Sequence, residues 1–183
     1  MNSTRPRFED IHMEMARLVS QRSTCRRLHV GCVIASSDNR KILATGYNGN
    51  ANGFPNDCDS DTPGACGCIH AEQNAVINCD SPRATPKIVF VTDLPCKTCT
   101  KFLINLGHVE KVYYARPYRL VEGAEMLKTA GIELIQYTEG VFDPSWLAEL
   151  VAVFGWQGGT IHQALDEVKR LVRLERENRI GPV

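Results

Sequence analysis

The sequence lacks both a surplus of charge and a long apolar run. Its 21 Lys and Arg residues balance 21 Asp and Glu residues, whereas nucleic-acid binders usually carry a basic surplus. We therefore expect no nucleic-acid partner, although a local basic pocket stays open. No apolar stretch approaches the roughly 20 residues of a membrane span, so we expect no membrane partner. Residues 1–16 contain acidic residues and no apolar core, so we expect no secretory signal and a cytoplasmic location.

The remaining composition is that of an ordinary globular protein. With 183 residues, of which 43% are hydrophobic, the chain suffices for one domain with a proper core and a small appendage. It has eight cysteines. In a reducing compartment, spaced cysteines more often bind metal or do chemistry than form disulfides.

The order of the predicted elements indicates an α/β fold. After a helix over residues 8–20, strands at 30–35 and 41–45 flank turn-forming residues and predict a hairpin. Beyond a Gly- and Asn-rich loop (46–67), helices and strands alternate as far as residue 137, which predicts a parallel arrangement there. We expect a three-layer α/β/α domain with a mixed five-stranded sheet. The predicted elements are helices at 70–78, 96–106 and 121–129 and strands at 88–92, 112–115 and 132–137.

The chain continues past this pattern. We expect a catalytic domain over residues 1–140 and a C-terminal helical extension over residues 141–183. A helix predicted at 161–177 has one apolar face, which must be buried either on the core or on a neighbouring subunit. The residues of that face are Ile161, Leu165, Val168 and Val172.

Two short segments carry the chemistry. His70 and Glu72 begin one predicted helix, and Cys96 and Cys99 begin another after Pro95. One imidazole and two thiolates would leave the fourth position of a tetrahedral zinc open to water, which is typical of a catalytic site. The positive end of a helix favours ionised thiols. We expect zinc to activate a water and Glu72 to move its proton to the substrate.

Each part of this pattern has a common alternative. A lone C-x-x-C is often a structural zinc knuckle or a redox pair, and a lone histidine is more often a core or surface residue. A non-catalytic zinc module is therefore the rival class. Glu72 favours catalysis over that class, because a purely structural site does not need a carboxylate beside an open position.

The combined pattern H-x-E…P-C-x-x-C is the signature of zinc-dependent nucleobase deaminases. The chain resembles the cytidine deaminase superfamily, and its flanking segments resemble the deoxycytidylate (dCMP) deaminases of phages and bacteria. The resemblance extends from about residue 8 to about residue 137. It rests on residues 23–31 (STCRRLHVG), 46–49 (GYNG), 70–75 (HAEQNA), 92–96 (TDLPC) and 112–114 (VYY).

This resemblance implies hydrolysis of dCMP to dUMP, the precursor of thymidylate. It implies that Asn48 contacts the nucleotide near the sugar and that the backbone of Ala71 reads the pyrimidine edge. The candidates for binding the 5′-phosphate are Arg26, Arg27, His29 and Tyr118, and guanidinium groups suit such contacts.

The resemblance also implies an assembly, a homohexamer, regulated by dCTP and dTTP with Mg²⁺. The regulatory residues would be Asn50, Asn52 and Asp57, next to the Gly-Tyr-Asn-Gly loop. This chain has Ala51 where the family usually has proline, a residue that stiffens a loop by fixing φ. That difference bears directly on whether the regulatory site is retained.

Four cysteines are candidates for a second, structural zinc, which the resemblance implies for some family members: Cys25, Cys58, Cys66 and Cys68. Four thiolates would pin the long loop to the end of the first helix. The alternatives are a set of reduced thiols, or a site in which Cys66 or Cys68 takes no part, since C-x-C is tighter than the commoner C-x-x-C. Cys32 and Cys79 lie in apolar patterns and are expected to be small buried side chains.

Other deaminases are the nearest functional alternatives. A tRNA adenosine deaminase would need a basic surface, which the neutral composition disfavours. A deaminase of free cytidine would lack phosphate ligands, whereas residues 23–27 (STCRR) supply them. A riboflavin-pathway deaminase would carry a longer second zinc segment than PCKTC. A modified dCMP stays open as a substrate, because one added group changes pocket energetics by only about 1–3 kcal/mol.

Overall fold

A computed structural model of the chain describes residues 6–60, 62, 65–117 and 122–138. All of them belong to the first of two units into which the chain divides, Met1–Gly140 and Val141–Val183. The predicted C-terminal extension and Tyr118 lie outside the described residues. Within the described ranges, no helix is long and apolar enough to cross a membrane.

Five strands form one mixed sheet in the order β2-β1-β3-β4-β5. Strand β1 pairs antiparallel with both β2 and β3, whereas β3, β4 and β5 run parallel to one another. The predicted hairpin and the predicted parallel half are thus both confirmed. The strands are β1 (Gly31–Ser36), β2 (Ile42–Tyr47), β3 (Lys87–Asp93), β4 (Val109–Arg116) and β5 (Glu133–Gln136).

Four helices cover the two faces of the sheet and complete the expected three-layer α/β/α architecture. One face packs against α1 through Met13 and Ala16, which meet Val33 and Phe90 of the sheet. The other face packs against the remaining helices, with Ala71, Leu103 and Leu127 in one apolar cluster. The helices are α1 (Phe8–Ser20), α2 (Ala71–Ile77), α3 (Lys97–Leu106) and α4 (Glu122–Thr129).

The central strand β3 shows why a continuous apolar run predicts a strand here. Every residue of β3 is buried, because helices cover both faces of the sheet, and such strands appear as continuous apolar runs. Glycine ends the next helix as expected: Gly107 follows α3 with φ of 86°, a conformation that glycine adopts without steric cost.

The predicted helices over 70–78 and 96–106 each begin one residue later than expected. His70 and Cys96 are extended N-cap residues that precede the first helical residue. An N-cap side chain projects beyond the end of the helix, so both donors lie at the mouth of a helix N-terminus. The later start of each helix therefore leaves His70 and Cys96 in the non-helical positions from which they contribute to the site.

Lys87 is the one lysine buried in the described core, and its side chain is fully enclosed. Its ammonium donates to the carbonyl oxygens of Thr85 at 2.7 Å, Pro82 at 2.9 Å, Gly107 at 3.2 Å and Arg83 at 3.4 Å. Burial lowers the pKa of Lys87. The amine thus joins the 82–85 turn to the end of α3.

Replacing this amine should destabilise the domain. Lys87→Met keeps the apolar stem but leaves four inward-facing carbonyl groups without their donor. We expect the free energy of unfolding to fall by about 2–3 kcal/mol. Urea unfolding followed by circular dichroism, with zinc present throughout, measures this loss. The control is Lys128→Met on the exposed side of α4, expected to stay within about 0.5 kcal/mol of the parent; equal losses in the two variants would contradict the assignment.

Candidate active site

The two chemistry-bearing segments meet at one edge of the sheet. Strand β3 ends at Asp93, and three residues later Cys96 is the N-cap of α3. Helix α2 presents its own N-terminus at the same place, with His70 as N-cap. The site is therefore the meeting point of two helix N-termini beyond the carboxyl end of a parallel strand, where α/β proteins usually bind ligands.

The three predicted donors lie close enough to share one metal ion. His70 Nδ1 is 3.6 Å from Cys96 Sγ and 3.3 Å from Cys99 Sγ, and all three donor atoms lie within 4.8 Å of one another. Usual zinc bond lengths and a tetrahedral angle place a nitrogen and a sulfur ligand about 3.6 Å apart. The donor set and spacing therefore fit zinc, with Nδ1 as the ligating nitrogen.

The electrostatics of the donors favour ionisation of one of the two thiols, Cys96. A hydrogen bond from the Cys99 thiol lowers the pKa of Cys96 to about 3, and the same bond raises the pKa of Cys99. The pKa of His70 is raised first by its hydrogen bond with Cys96. The two sulfurs thus share a proton that a cation would displace, as expected for a metal site.

Glu72 is buried beside the donors without being one of them. It is only 4% exposed, and burial raises its pKa to about 7. Its carboxyl group contacts the Cys99 thiol. His70 itself is exposed, so the open side of the donor set faces solvent. A carboxyl group that can hold or release a proton near neutrality therefore lies next to an accessible metal position.

A glycine on β2 sets how closely α2 approaches the sheet. A Cβ at Gly46 would overlap the carbonyl oxygen of Ala71 and the amide nitrogen of Ala75. The side-chain amide of Asn74 donates to the carbonyl oxygen of Tyr47 at 2.8 Å. Close packing and this hydrogen bond together hold the helix that carries Glu72.

A second glycine allows α4 to approach the cysteine segment. A Cβ at Gly123 would overlap the carbonyl oxygen of Pro95 and lie 2.7 Å from Thr100 Oγ1. Gly123 is itself buried. The position of Cys96 therefore depends on the absence of a side chain on a neighbouring helix.

The predicted phosphate ligands have mixed environments. Arg26 makes a two-pronged ion pair with Asp57, at 2.7 Å for both Nε–Oδ1 and Nη2–Oδ2. Arg27 donates to the carbonyl oxygen of Ser60 at 3.0 Å. His29 is exposed. Both arginines thus contact the long loop, an interaction that the sequence reasoning did not anticipate.

Asn48 holds the segment that follows the arginines. Its Oδ1 accepts from the Val30 amide at 2.8 Å, and its Nδ2 donates to the Leu28 carbonyl oxygen at 2.7 Å. The side chain is buried. Asn48 thus supports the 28–30 segment at the edge of the site, in addition to any contact with a nucleotide.

The predicted regulatory residues belong to the long loop. Asn50 Nδ2 donates to Asp59 Oδ1 at 2.9 Å and to the Pro55 carbonyl oxygen at 3.2 Å. Asp57 pairs with Arg26, and Asn52 is exposed. Two of the three residues therefore take part in the loop's own hydrogen bonding.

The four cysteines predicted to bind a second zinc also come together. Cys58 Sγ is 3.8 Å from both Cys25 Sγ and Cys68 Sγ, and Cys66 joins them with all donor atoms within 4.8 Å. Two sulfurs on one tetrahedral zinc are about 3.8 Å apart. Burial opposes ionisation of Cys25, but hydrogen bonds from the amides of Arg27 and Leu28 outweigh it and lower its pKa to about 7.

Sequence reasoning missed a polar network at the same edge. Arg116 forms two hydrogen bonds with Asp93, at 3.0 and 2.7 Å, and a third with the His29 carbonyl oxygen at 3.2 Å. Thr92 donates to Asp93 at 2.8 Å. Asp93 and Arg116 each directly follow a predicted strand, but no local pattern specifies that these two strand ends are register partners.

The fold and site define a three-layer α/β/α protein with one imidazole and two thiols spaced to bind zinc beside a buried carboxyl group. The chain belongs to the cytidine and deoxycytidylate deaminase family. A sequence model of that family's zinc-binding region matches residues 7–116.

Named relatives agree with this membership. Deoxycytidylate deaminase from Schizosaccharomyces pombe is 34% identical over 149 residues, covering 74% of this chain and 46% of the relative. ComE operon protein 2 of Bacillus subtilis is 32% identical over 177 residues and matches 87% of this chain and 88% of its own. The chain spans about half the length of the yeast relatives that it matches.

A solved structure has the same fold. The dCMP deaminase of cyanophage S-TIM5, in complex with dCMP and dUMP, is 33% identical, with a TM-score of 0.64. The match covers 73% of this chain and 99% of the phage protein.

A methyl group at Gly123 should disturb the metal centre. Gly123→Ala would push α4 away from Pro95 or displace the Cys96 segment, so we expect zinc affinity to fall by about tenfold. Competition with a chromogenic chelator measures the affinity. The matched control is Glu122→Ala, an exposed neighbour on the same helix, which should bind zinc as the parent does. Unchanged affinity in Gly123→Ala would show that this close contact does not position the donors.

Proposed function

We propose that this protein deaminates dCMP hydrolytically to dUMP, supplying the precursor of thymidylate. Two observations support this proposal. The chain has the donor residues of the deaminase family's zinc-binding region, and its relatives include a yeast protein named deoxycytidylate deaminase and the solved structure of a phage dCMP deaminase. The neutral net charge disfavours a tRNA substrate.

The observation that carries the proposal is the position of Glu72. A buried carboxyl group with a pKa raised to about 7 by desolvation touches a metal donor without completing the donor set. A closed structural site would not need such a group. A hydrolytic site needs it, because water must lose a proton and the leaving amine must gain one.

The reaction adds water to the amine-bearing ring carbon and releases ammonia. When bound, zinc would lower the pKa of a water molecule in the remaining position and so supply the nucleophile near pH 7. Glu72 accepts the water proton and donates it to the adjacent ring nitrogen. A carbon–oxygen bond forms, and Glu72 then takes the proton of the new hydroxyl group and passes it to the departing amine as the carbon–nitrogen bond breaks and the carbonyl forms.

Other residues bind and orient the substrate in this proposal. The backbone of Ala71, at the start of α2, reads the pyrimidine edge, and Asn48 contacts the nucleotide near its sugar. The predicted ligands of the 5′-phosphate complete the substrate site in this proposal. They are Arg26, Arg27, His29 and Tyr118.

The activity can be tested by absorbance with four substrates in parallel: dCMP, CMP, dCTP and deoxycytidine. We expect dCMP to be preferred. Glu72→Gln removes the titrating group but retains its shape, so turnover should fall by about 10²–10⁴-fold while zinc content stays at the parent level. The matched control, Glu125→Gln on the exposed side of α4, should be fully active. Turnover retained in Glu72→Gln would refute the proposed proton transfer.

We further propose that Cys25, Cys58, Cys66 and Cys68 bind a second, structural zinc. The sulfur spacing of 3.8 Å suits a tetrahedral tetrathiolate site. Amide hydrogen bonds to Cys25 favour the ionised sulfur that binds metal, and the Arg26 amide donates to the Cys58 sulfur at 3.4 Å. Such a site would offset the entropy lost in ordering the long loop.

Metal analysis distinguishes one site from two. Protein purified without chelators should contain about two zinc ions per chain, and Cys58→Ser should contain about one, because three sulfurs leave the second tetrahedron incomplete. Cys79→Ser is the control, since Cys79 lies outside both clusters, and it should keep two. A parent count of one that Cys58→Ser does not change would eliminate the second site.

The proposal extends to assembly and regulation. It includes a cytoplasmic homohexamer, regulation by dCTP and dTTP with Mg²⁺ at Asn50, Asn52 and Asp57, and an accessory role for residues 141–183 beside a catalytic domain over 1–140. The loop's internal hydrogen bonds at Asn50 and Asp57 offer a way for a bound nucleotide to alter loop order.

A further inference from the structure

We propose that Arg116 binds the 5′-phosphate of the substrate and so makes the enzyme select nucleotides over nucleosides. This inference rests on the proposed function and assigns a residue that sequence reasoning left out. It depends on where Arg116 lies, which of its N–H groups are already used, and what its contacts hold in place.

Arg116 lies at the rim of the candidate site. It is the last residue of β4 and is the register partner of Asp93, the last residue of β3. The Leu94 amide donates to the Arg116 carbonyl oxygen at 2.9 Å. Three residues reach from Asp93 to Cys96 and span at most about 11 Å. Arg116, which hydrogen-bonds Asp93, is therefore near the segment that carries the cysteine donors.

The hydrogen bonds of Arg116 leave one side of the guanidinium available. Nε and Nη2 donate to the two oxygens of Asp93, and Nη2 also donates to the His29 carbonyl oxygen. Among the described residues, no acceptor is hydrogen-bonded to Nη1. The Arg116 side chain is 57% exposed, whereas that of Asp93 is 9% exposed. A rigidly held cation therefore presents two N–H groups outward.

The buried, paired carboxylate of Asp93 repels an approaching anion less than an exposed carboxylate would. It faces inward, where it accepts hydrogen bonds from Arg116 and from the Thr92 hydroxyl. That hydroxyl in turn accepts from the Gly31 amide at 3.2 Å. Asp93 therefore orients the guanidinium, and Arg116 is the group that reaches solvent.

The contact with His29 joins Arg116 to the segment that carries the other predicted phosphate ligands. Asn48 holds Leu28 and Val30 from one side, and Arg116 holds His29 from the other. The neighbouring Arg26 already pairs with Asp57 through two N–H groups. Arg116 combines a fixed orientation with an outward donor pair, which suits two-pronged binding of phosphate.

The test compares a substrate that has a phosphate with one that lacks it. Arg116→Ala should lower kcat/KM for dCMP by about 10–100-fold, mainly through KM, and change kcat/KM for deoxycytidine by less than about twofold. Arg116→Lys keeps the charge but not the two-pronged geometry, and should lie between Arg116→Ala and the parent. Inhibition by inorganic phosphate should weaken in parallel. The matched control is Arg40→Ala in the turn after β1, at the opposite edge of the sheet.

Two results would overturn the assignment. Equal losses with dCMP and deoxycytidine would show that Arg116 only holds the surrounding segments, and unchanged kinetics with both would show that it does neither. Zinc content and thermal unfolding show whether Arg116→Ala has damaged the fold as a whole. If it has, the kinetics of Arg116→Lys with dCMP and deoxycytidine decide between phosphate binding and a structural role. If the parent turned over none of the substrates, the proposed function would fail separately. Equilibrium binding of dUMP against deoxyuridine would still test Arg116.

Discussion

The structure depends on two helix N-termini meeting at one edge of the sheet with almost no space between the elements that carry them. His70 and Cys96 are N-cap residues, so their side chains project past the helices towards each other. That approach is fixed by contacts that exclude even a methyl group, with Gly46 beneath α2 and Gly123 beside Pro95. A metal site tolerates displacements of only a few tenths of an ångström in its donors. Backbone packing, more than the donors themselves, therefore sets the geometry.

Desolvation makes the same arrangement chemically useful. Glu72 is buried in the first turn of the helix whose N-cap is His70, and this burial raises its pKa into the range where it can both accept and donate a proton near neutral pH. The metal donors need the opposite environment on their outer side, where solvent and substrate must enter. An exposed His70 and a buried Glu72, two residues apart at the first turn of one helix, provide both environments. Further along a helix, residues two apart point in different directions.

The sequence was sufficient for the order and type of the elements, and for the donor set, because these depend on local patterns. The apolar run of β3, the turn before β2 and the glycine after α3 each have a local physical cause. Lys87 and Arg116 could not be assigned in this way. Lys87 is buried because carbonyl groups from the 82–85 turn and from Gly107 meet around its amine, and Arg116 acquires its role from Asp93 on a neighbouring strand. Such contacts between distant segments follow from the register of the sheet, which a pattern of residue types does not specify.

The two cysteine groups are connected through the backbone. Cys68 precedes His70 by two residues, and the intervening Ile69 exchanges two hydrogen bonds with Gly49, at 2.8 and 3.1 Å. Gly49 directly follows Asn48, whose side chain holds the 28–30 segment. A tetrathiolate zinc would therefore fix the chain on both sides of the site, through Cys68 towards His70 and through Cys25 towards the predicted phosphate ligands. With such a zinc, ordering the long loop and positioning the catalytic donors would be the same physical event, so a loop of this length would be compatible with a site that requires accurate geometry.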